Sequence, residues 1–254
     1  MTLIVDADHL GPNEVSWMKR IDSTDLKSLD TLHVRRLIVV APHPDDEVLG
    51  VGGLIQRALS DHVLVEIVAV TNGEASHPSS EVAATLDLPA IRARESRVAL
   101  QRLGWDQPVI TQLHLPDGQV SDHREELNDA LASILLPDDL CVAPWSRDGH
   151  PDHDVCGDAA VAASRAVGAK SLSYMIWSWH WADPDGSDIP WQRCRRLDLD
   201  RRQRARKRWA TAAFRSQLRP LGDRPSDAPI LPEPLLRRFW RPYEVLVDNA
   251  SAIS

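Results

Sequence analysis

A chain of 254 residues with 43% hydrophobic side chains can bury a sizeable core as one large domain with a small appendage, rather than as two full domains. Its formal net charge of -8 and pI near 5.7 speak against a nucleic-acid backbone as the main partner, which selects a basic face. Three widely spaced cysteines, Cys141, Cys156 and Cys194, form no CxxC pair and read as reduced, buried thiols rather than a disulfide framework.

From the N-terminus onward, residues 1–34 are weakly patterned and read as an arm or lid with a short helix starting near Asn13 or Ser16. The first residues carry no basic region and reach Asp6 too early for a signal peptide. Nowhere does an apolar run approach the roughly 20 residues of a membrane span, so a cytoplasmic protein is expected. From Arg36 the pattern sharpens. Strands are predicted at 36–41, 63–70, 109–114, 139–144 and 172–178, alternating with helices at 47–60, 90–103, 122–135 and 152–167. Val, Ile and Leu-rich strands between amphipathic helices indicate an α/β fold, a doubly wound, Rossmann-like, mostly parallel sheet over residues 35–182. Residues 183–254 read as an extension packed on that core, with an amphipathic helix at 200–217, a proline-rich loop at 218–234 and a closing strand at 243–247.

A sheet wound in the usual order 3-2-1-4-5 places its first and fourth strands side by side where the winding reverses, and ligands bind at their carboxyl ends. Both ends carry unusual chemistry. After the first strand comes Pro42-His43-Pro44-Asp45-Asp46-Glu47, one imidazole and three carboxylates in a single turn. Such a concentration of charge is costly unless a cation or a chemical task offsets the repulsion. After the fourth strand comes Asp148-Gly149-His150-Pro151-Asp152-His153. Two His-Pro-Asp tripeptides about a hundred residues apart thus converge on one crevice, and a metal site is the expectation.

These paired motifs resemble the signature of the PIG-L (LmbE-like) family of metal-dependent de-N-acetylases acting on N-acetylglucosamine-containing molecules. Smaller echoes are Thr71-Asn72-Gly73-Glu74, Arg94-Glu95 and Leu115-Pro116-Asp117-Gly118. The resemblance implies His43, Asp46 and His153 as metal ligands, with Zn2+ as the cofactor and another divalent ion such as Fe2+ also compatible. Asp45, uncoordinated beside the ion, suits the general base. His150 suits the donor to the developing oxyanion, with Asp152 orienting its ring and favouring its protonated form. The implied reaction is removal of an N-acetyl or other N-acyl group from an amino sugar or glycoconjugate, a small-molecule partner. One departure concerns the mycothiol-pathway branch of the family, where a tyrosine two residues ahead of the second motif helps bind the oxyanion. Asp148 stands at that position here.

Around this centre, Glu74, Arg94, Asp117 and Trp145 are candidate substrate-binding residues at the crevice mouth. Arg94 with Glu95 also reads as a solvated helix pair, and Trp145 and the run Trp177 to Trp181 also read as core. The nine tryptophans are compatible with a homo-oligomer. Glu47 reads as helix-dipole or supporting chemistry, Asp152 has an N-cap as its alternative, and Cys156 reads as a buried thiol rather than a fourth ligand. Gly50-Val51-Gly52-Gly53 is better explained by helix packing on the sheet than by a phosphate loop, since the turn before it is acidic. Two readings of other classes stand beside the hydrolase. One is a two-histidine, one-carboxylate iron oxygenase, and the other a non-catalytic sugar-binding protein stapled by its metal.

Overall fold

A computed structural model describes residues 11–29 and 34–249. Five parallel strands form its centre: β2 (Arg36–Ala41), β3 (Leu64–Ala69), β4 (Ile110–Gln112), β5 (Asp139–Pro144) and β6 (Lys170–Tyr174), ordered β6-β5-β2-β3-β4. This is the doubly wound order anticipated above, with β2 and β5 neighbours in register Arg36↔Asp139 through Val39↔Val142. The alternation of strand side chains divides the apolar residues between two faces. Leu37, Val39, Leu140 and Val142 enter the core on one side, while Ile38, Val40, Cys141 and Ala143 enter that on the other. Helices α2 (Asp46–Ser60) and α3 (Leu88–Arg102) cover the first face, and α4 (Arg124–Ile134) and α5 (Pro151–Val167) the second.

The sheet continues beyond these five. β1 (Lys27–Ser28), β7 (Cys194–Asp198) and β8 (Tyr243–Asp248) extend it in the order β1-β7-β8-β6. β8 runs antiparallel to both β6 and β7, and β1 parallel to β7. The closing strand is thus where the sequence placed it, whereas β7 was hidden in an arginine-rich stretch. Helix α7 (Arg201–Thr211), opened by a capping box from Asp200 and Gln203, packs on α2 and α3. It ends well before residue 217, and a separate turn, α8, follows at Arg215–Leu218.

Of the N-terminal arm, residues 1–10 and 30–33 lie outside the described residues. The rest holds helix α1 (Glu14–Ser23), capped by the Asn13 side chain on the Ser16 amide. α1 buries Trp17 edge-on against Trp179 at 5.0 Å, and the Trp17 indole N–H donates to the Trp179 carbonyl at 3.0 Å.

β4 and β6 are shorter than the sequence suggests: β4 keeps only Ile110–Gln112 of the expected 109–114, and β6 ends before the expected 178. β6 stops at Tyr174 because the Asp148 carboxylate accepts the N–H groups of Ile176, Trp177 and Ser178, which a strand would give to its neighbour. The chain turns instead into α6 (Ser178–Trp181). Among the described residues, no helix is long and apolar enough to cross a membrane.

Candidate metal and catalytic site

The loops leaving β2 and β5 meet at the carboxyl ends of these neighbouring strands. The Pro42 carbonyl, at the end of β2, accepts both the N–H and the hydroxyl of Thr71, which ties this loop to the end of β3. Asp45 closes the turn with φ 141°, a conformation that strains a residue bearing a Cβ. Its amide donates to the Glu47 carboxylate at 3.0 Å, and Glu47 in turn accepts from the Ser96 hydroxyl. The strained turn is therefore held from both sides.

Three donor atoms converge here. His43 Nδ1 lies 3.3 Å from Asp46 Oδ2, His153 Nε2 lies 3.2 Å from the same oxygen, and the two nitrogens are 3.3 Å apart. Ligands about 2.0–2.1 Å from a tetrahedral ion stand roughly 3.3–3.4 Å from each other, so one face of such a coordination shell is already formed. Among the described residues this trio and the overlapping set His43, His150 and Asp152 are the clusters able to hold an ion.

The outer nitrogen of each candidate ligand histidine is fixed by carboxylates. His43 Nε2 stands 3.1 Å from Asp117 Oδ1 and 3.3 Å from Asp152 Oδ2. His153 Nδ1 stands 2.8 Å from Asp148 Oδ2. Such partners select the tautomer that leaves the inner nitrogen free to ligate.

Charge balance points the same way. Burial opposes ionisation of Asp46, but the His153 and His43 imidazoles outweigh it and hold its carboxyl far below the usual range. Burial likewise opposes a charge on His153, yet Asp46 and Asp148 raise it to about 9. His43, also buried, is raised well above its ordinary value by Asp117, Asp152 and Asp46. The carboxylates call for positive charge, which protons or a divalent cation would supply.

Asp45 is not one of the three converging donors; its Oδ2 lies 3.2 Å from Arg92 Nη2. Burial, with help from Asp46 and Glu47, pushes it up to about 8 against the pull of Arg92 and His43. A cation in the triangle would oppose that rise.

His150 lies beside the His43 and His153 rings, with centroids 4.8 and 4.9 Å away. Its Nδ1 accepts the Asp152 amide at 3.2 Å, so the ring proton resides on Nε2. The structure corrects the expected pairing with Asp152. That carboxylate accepts the amides of Gly118 at 2.8 Å and Val120 at 3.2 Å and meets His43, whereas the hydrogen bond from Asp152 to His150 comes from its backbone N–H. Burial and the neighbouring His43 and His153 push His150 down to about 3, against Asp152.

The substrate candidates separate clearly. Asp117 is in the site, and Glu74, exposed at the rim, accepts the Asp117 amide at 3.1 Å. Arg94 is exposed on α3 and is not brought to the centre. Arg92, about 200° round the helix from it, is buried and takes that place, also donating to the carbonyls of Gly73 and Pro44. Trp145 is packed in the core, 6% exposed, and borders a different cleft with Arg20 and Trp191. Trp177, half-buried, lies stacked against His150 at 6.1 Å. Sequence reading missed the parts played by Asp148 and Arg92. Asp148 could have been found as a carboxylate five residues before His153, and Arg92 by its helical phase, two residues from Arg94.

Comparison with known proteins identifies the family. A family profile described as PIG-L, GlcNAc-PI de-N-acetylase, matches residues 38–164, half of the chain. The chain is 32% identical over 133 residues to a probable N-acetyl-alpha-D-glucosaminyl L-malate deacetylase 2 of Bacillus subtilis, covering 50% of this chain and 59% of that protein. It is 27% identical over 149 residues to diacetylchitobiose deacetylase of Thermococcus kodakarensis, covering 55% and 53%. The matches therefore span little more than half of these curated relatives. Among solved structures, the conserved protein TT1542 of Thermus thermophilus aligns at a TM-score of 0.52 and 27% identity, over 73% of this chain and 80% of that one. A teicoplanin deacetylase, Orf2, at 0.58 and 21% identity over 72% and 85%, shows the same fold.

Proposed function

We propose, since this chain belongs to the PIG-L family, that it is a Zn2+-dependent hydrolase removing the N-acetyl group from an N-acetylglucosamine-type sugar or glycoconjugate. The observation that carries this reading is the triangle of His43 Nδ1, Asp46 Oδ2 and His153 Nε2, with its 3.2 to 3.3 Å edges and a carboxylate behind each imidazole. When bound there, the ion polarises the amide carbonyl and acidifies water.

The chain's own groups do the rest. Asp45, next in sequence to Asp46 but not one of the three donors, accepts the proton of the attacking water and returns it to the leaving nitrogen, so that acetate and a free amine depart. His150, with its Nε2–H available, donates to the carbonyl oxygen as charge develops there. Asp152 and Asp117 hold the His43 ring, and Asp148 holds that of His153. Arg92 restrains Asp45. Glu74 and Asp117 present acceptors to sugar hydroxyls. The free, buried Cys141, Cys156 and Cys194 accord with a cytoplasmic location. A homo-oligomer belongs to the same proposal and is tested by sedimentation.

Acetate release from a panel of N-acetylglucosaminides (simple, inositol-linked, oligomeric and aryl-bearing) tests the reaction, run with chelator and with Zn2+ add-back. Chelator-sensitive release restored by Zn2+ is expected. No release from any member by protein shown to hold Zn2+ would overturn the assignment.

A further inference from the structure

Helix α2 is two helices. Val51 leaves helical geometry at φ -138° and ψ 24°, one turn after Asp46, so the amides that follow lose their intrahelical acceptors. The Glu244 side chain of β8 replaces them. Its Oε1 accepts the Gly53 amide at 2.6 Å and its Oε2 the Leu54 amide at 2.9 Å. Lys207 of α7 donates to the same Oε1 at 2.6 Å, and both charged side chains are almost wholly buried, at 4% and 3% exposure. The glycines make room for this arrangement. A Cβ on Gly53 would stand 2.3 Å from Leu199 and 3.0 Å from the Glu244 carboxyl carbon, and one on Gly52 would stand 3.3 Å from the Lys207 stem.

We infer that Glu244, neutralised by Lys207, is a positioning residue for the metal centre: it caps the second half of α2 and so sets the angle at which the first turn presents Asp46. That turn spans only Asp46 to Gly50, between the donor triangle and the break, and Gly50 rests against the Tyr174 ring, which a Cβ would meet at 2.4 Å. A carboxylate accepting two amides and an ammonium is a strong, directional clamp. Because α2 leaves β2 while His153 rides on α5 across the sheet, a change of angle at the break alters the separation of Asp46 from His153. The clamp comes from the C-terminal segment, so residues some two hundred positions from His43 tune its site. The inference rests on the proposed metal reading.

The test measures Zn2+ affinity by chelator competition and the visible spectrum of the Co2+-loaded protein, for wild type, Glu244→Gln, and Glu244→Gln with Lys207→Met should a lone buried ammonium prevent folding. Leu131→Ala, in the opposite core, serves as a control of general destabilisation. The expected result is roughly a tenfold loss of affinity and a shifted Co2+ band in the Glu244 variants, with both unchanged in the control. In wild type, metal loading is also expected to slow hydrogen exchange at Gly53 and Leu54, since coupling is reciprocal. Unchanged affinity and spectrum in folded Glu244 variants, or exchange at these amides indifferent to metal, would overturn the inference. Failure of wild type itself to bind Zn2+ or Co2+ would instead overturn the metal reading beneath it.

Discussion

The Asp148 carboxylate accepts from the Ile176, Trp177 and Ser178 amides, the Ser178 hydroxyl and His153 Nδ1. An asparagine there would set its NH2 against other N–H groups in either orientation. Each unsatisfied buried group costs roughly 1–3 kcal/mol, and loss of a carboxylate behind a ligand histidine weakens metal binding by about 10–100-fold. Asp148→Asn is accordingly expected to lower both melting temperature and Zn2+ affinity, measured by calorimetry and chelator competition. Asp45→Asn should behave differently, retaining Zn2+ while losing acetate release, and equal loss of metal in both variants would contradict their separate roles. The same position shows what a sequence conceals. Asp148 lies outside both His-Pro-Asp tripeptides, and its contacts with His153 Nδ1 and three backbone amides are what identify it as the anchor of that ring. His180 offers a pH test remote from the metal ligands. Burial, aided by Arg238, pushes it down to about 3, below the ordinary 6.5. The unfolded chain therefore binds one more proton than the folded one between those values, and the stability this represents, full above pH 6.5, is lost as pH falls towards 3. His180→Phe is expected to flatten the fall in melting temperature below pH 6, and an identical pH profile would refute it.

At the scale of elements, α5 carries the second motif and depends on a close approach to β5. A Cβ on Gly157 would stand 2.5 Å from the Pro144 carbonyl oxygen and 2.7 Å from the Ser146 nitrogen, both backbone atoms that cannot swing aside. Gly157→Ala should push α5 from the sheet at a cost of about 1–3 kcal/mol and carry His153 away from Asp46. Weaker Zn2+ binding is the expected result, and wild-type affinity would show that the helix can absorb the methyl elsewhere. Elements were legible where one face is apolar and the period is clear. β2 and β5 are found at their anticipated bounds, because each buries alternate side chains on two sides of the sheet. β7 was not legible, because Arg195 and Arg196 interrupt its pattern; the former pairs with Asp248 across the strands and the latter lies over the Tyr243 ring at 4.0 Å. The end of β6 was misread because its continuation Met175-Ile176-Trp177 is as apolar as a strand, while a side chain from another loop claims its amides.

For the whole molecule, the division into arm, catalytic core and C-terminal extension is a proposal that truncation tests. β8 pairs antiparallel with β6, and its Glu244 supplies the acceptors for the break in α2. A chain ending at residue 182 is therefore expected to lose cooperative unfolding and Zn2+ binding together. A truncated chain that melts cooperatively and binds Zn2+ as well as the full one would show that the extension is dispensable. By itself the sequence determined the alternation of strands and helices, hence the winding and its switch point, and the two His-Pro-Asp turns located the site at the ends of β2 and β5. These are local matters of period and turn chemistry, carried by neighbouring residues. Tertiary structure alone decided which carboxylate meets which imidazole: Asp152 and Asp117 on His43, Asp148 on His153, Arg92 rather than Arg94 on Asp45, and Glu244 on the broken helix. Most of those pairs join residues far apart in the chain, and their choice is set by how helices of fixed phase pack on a sheet, which no local pattern encodes.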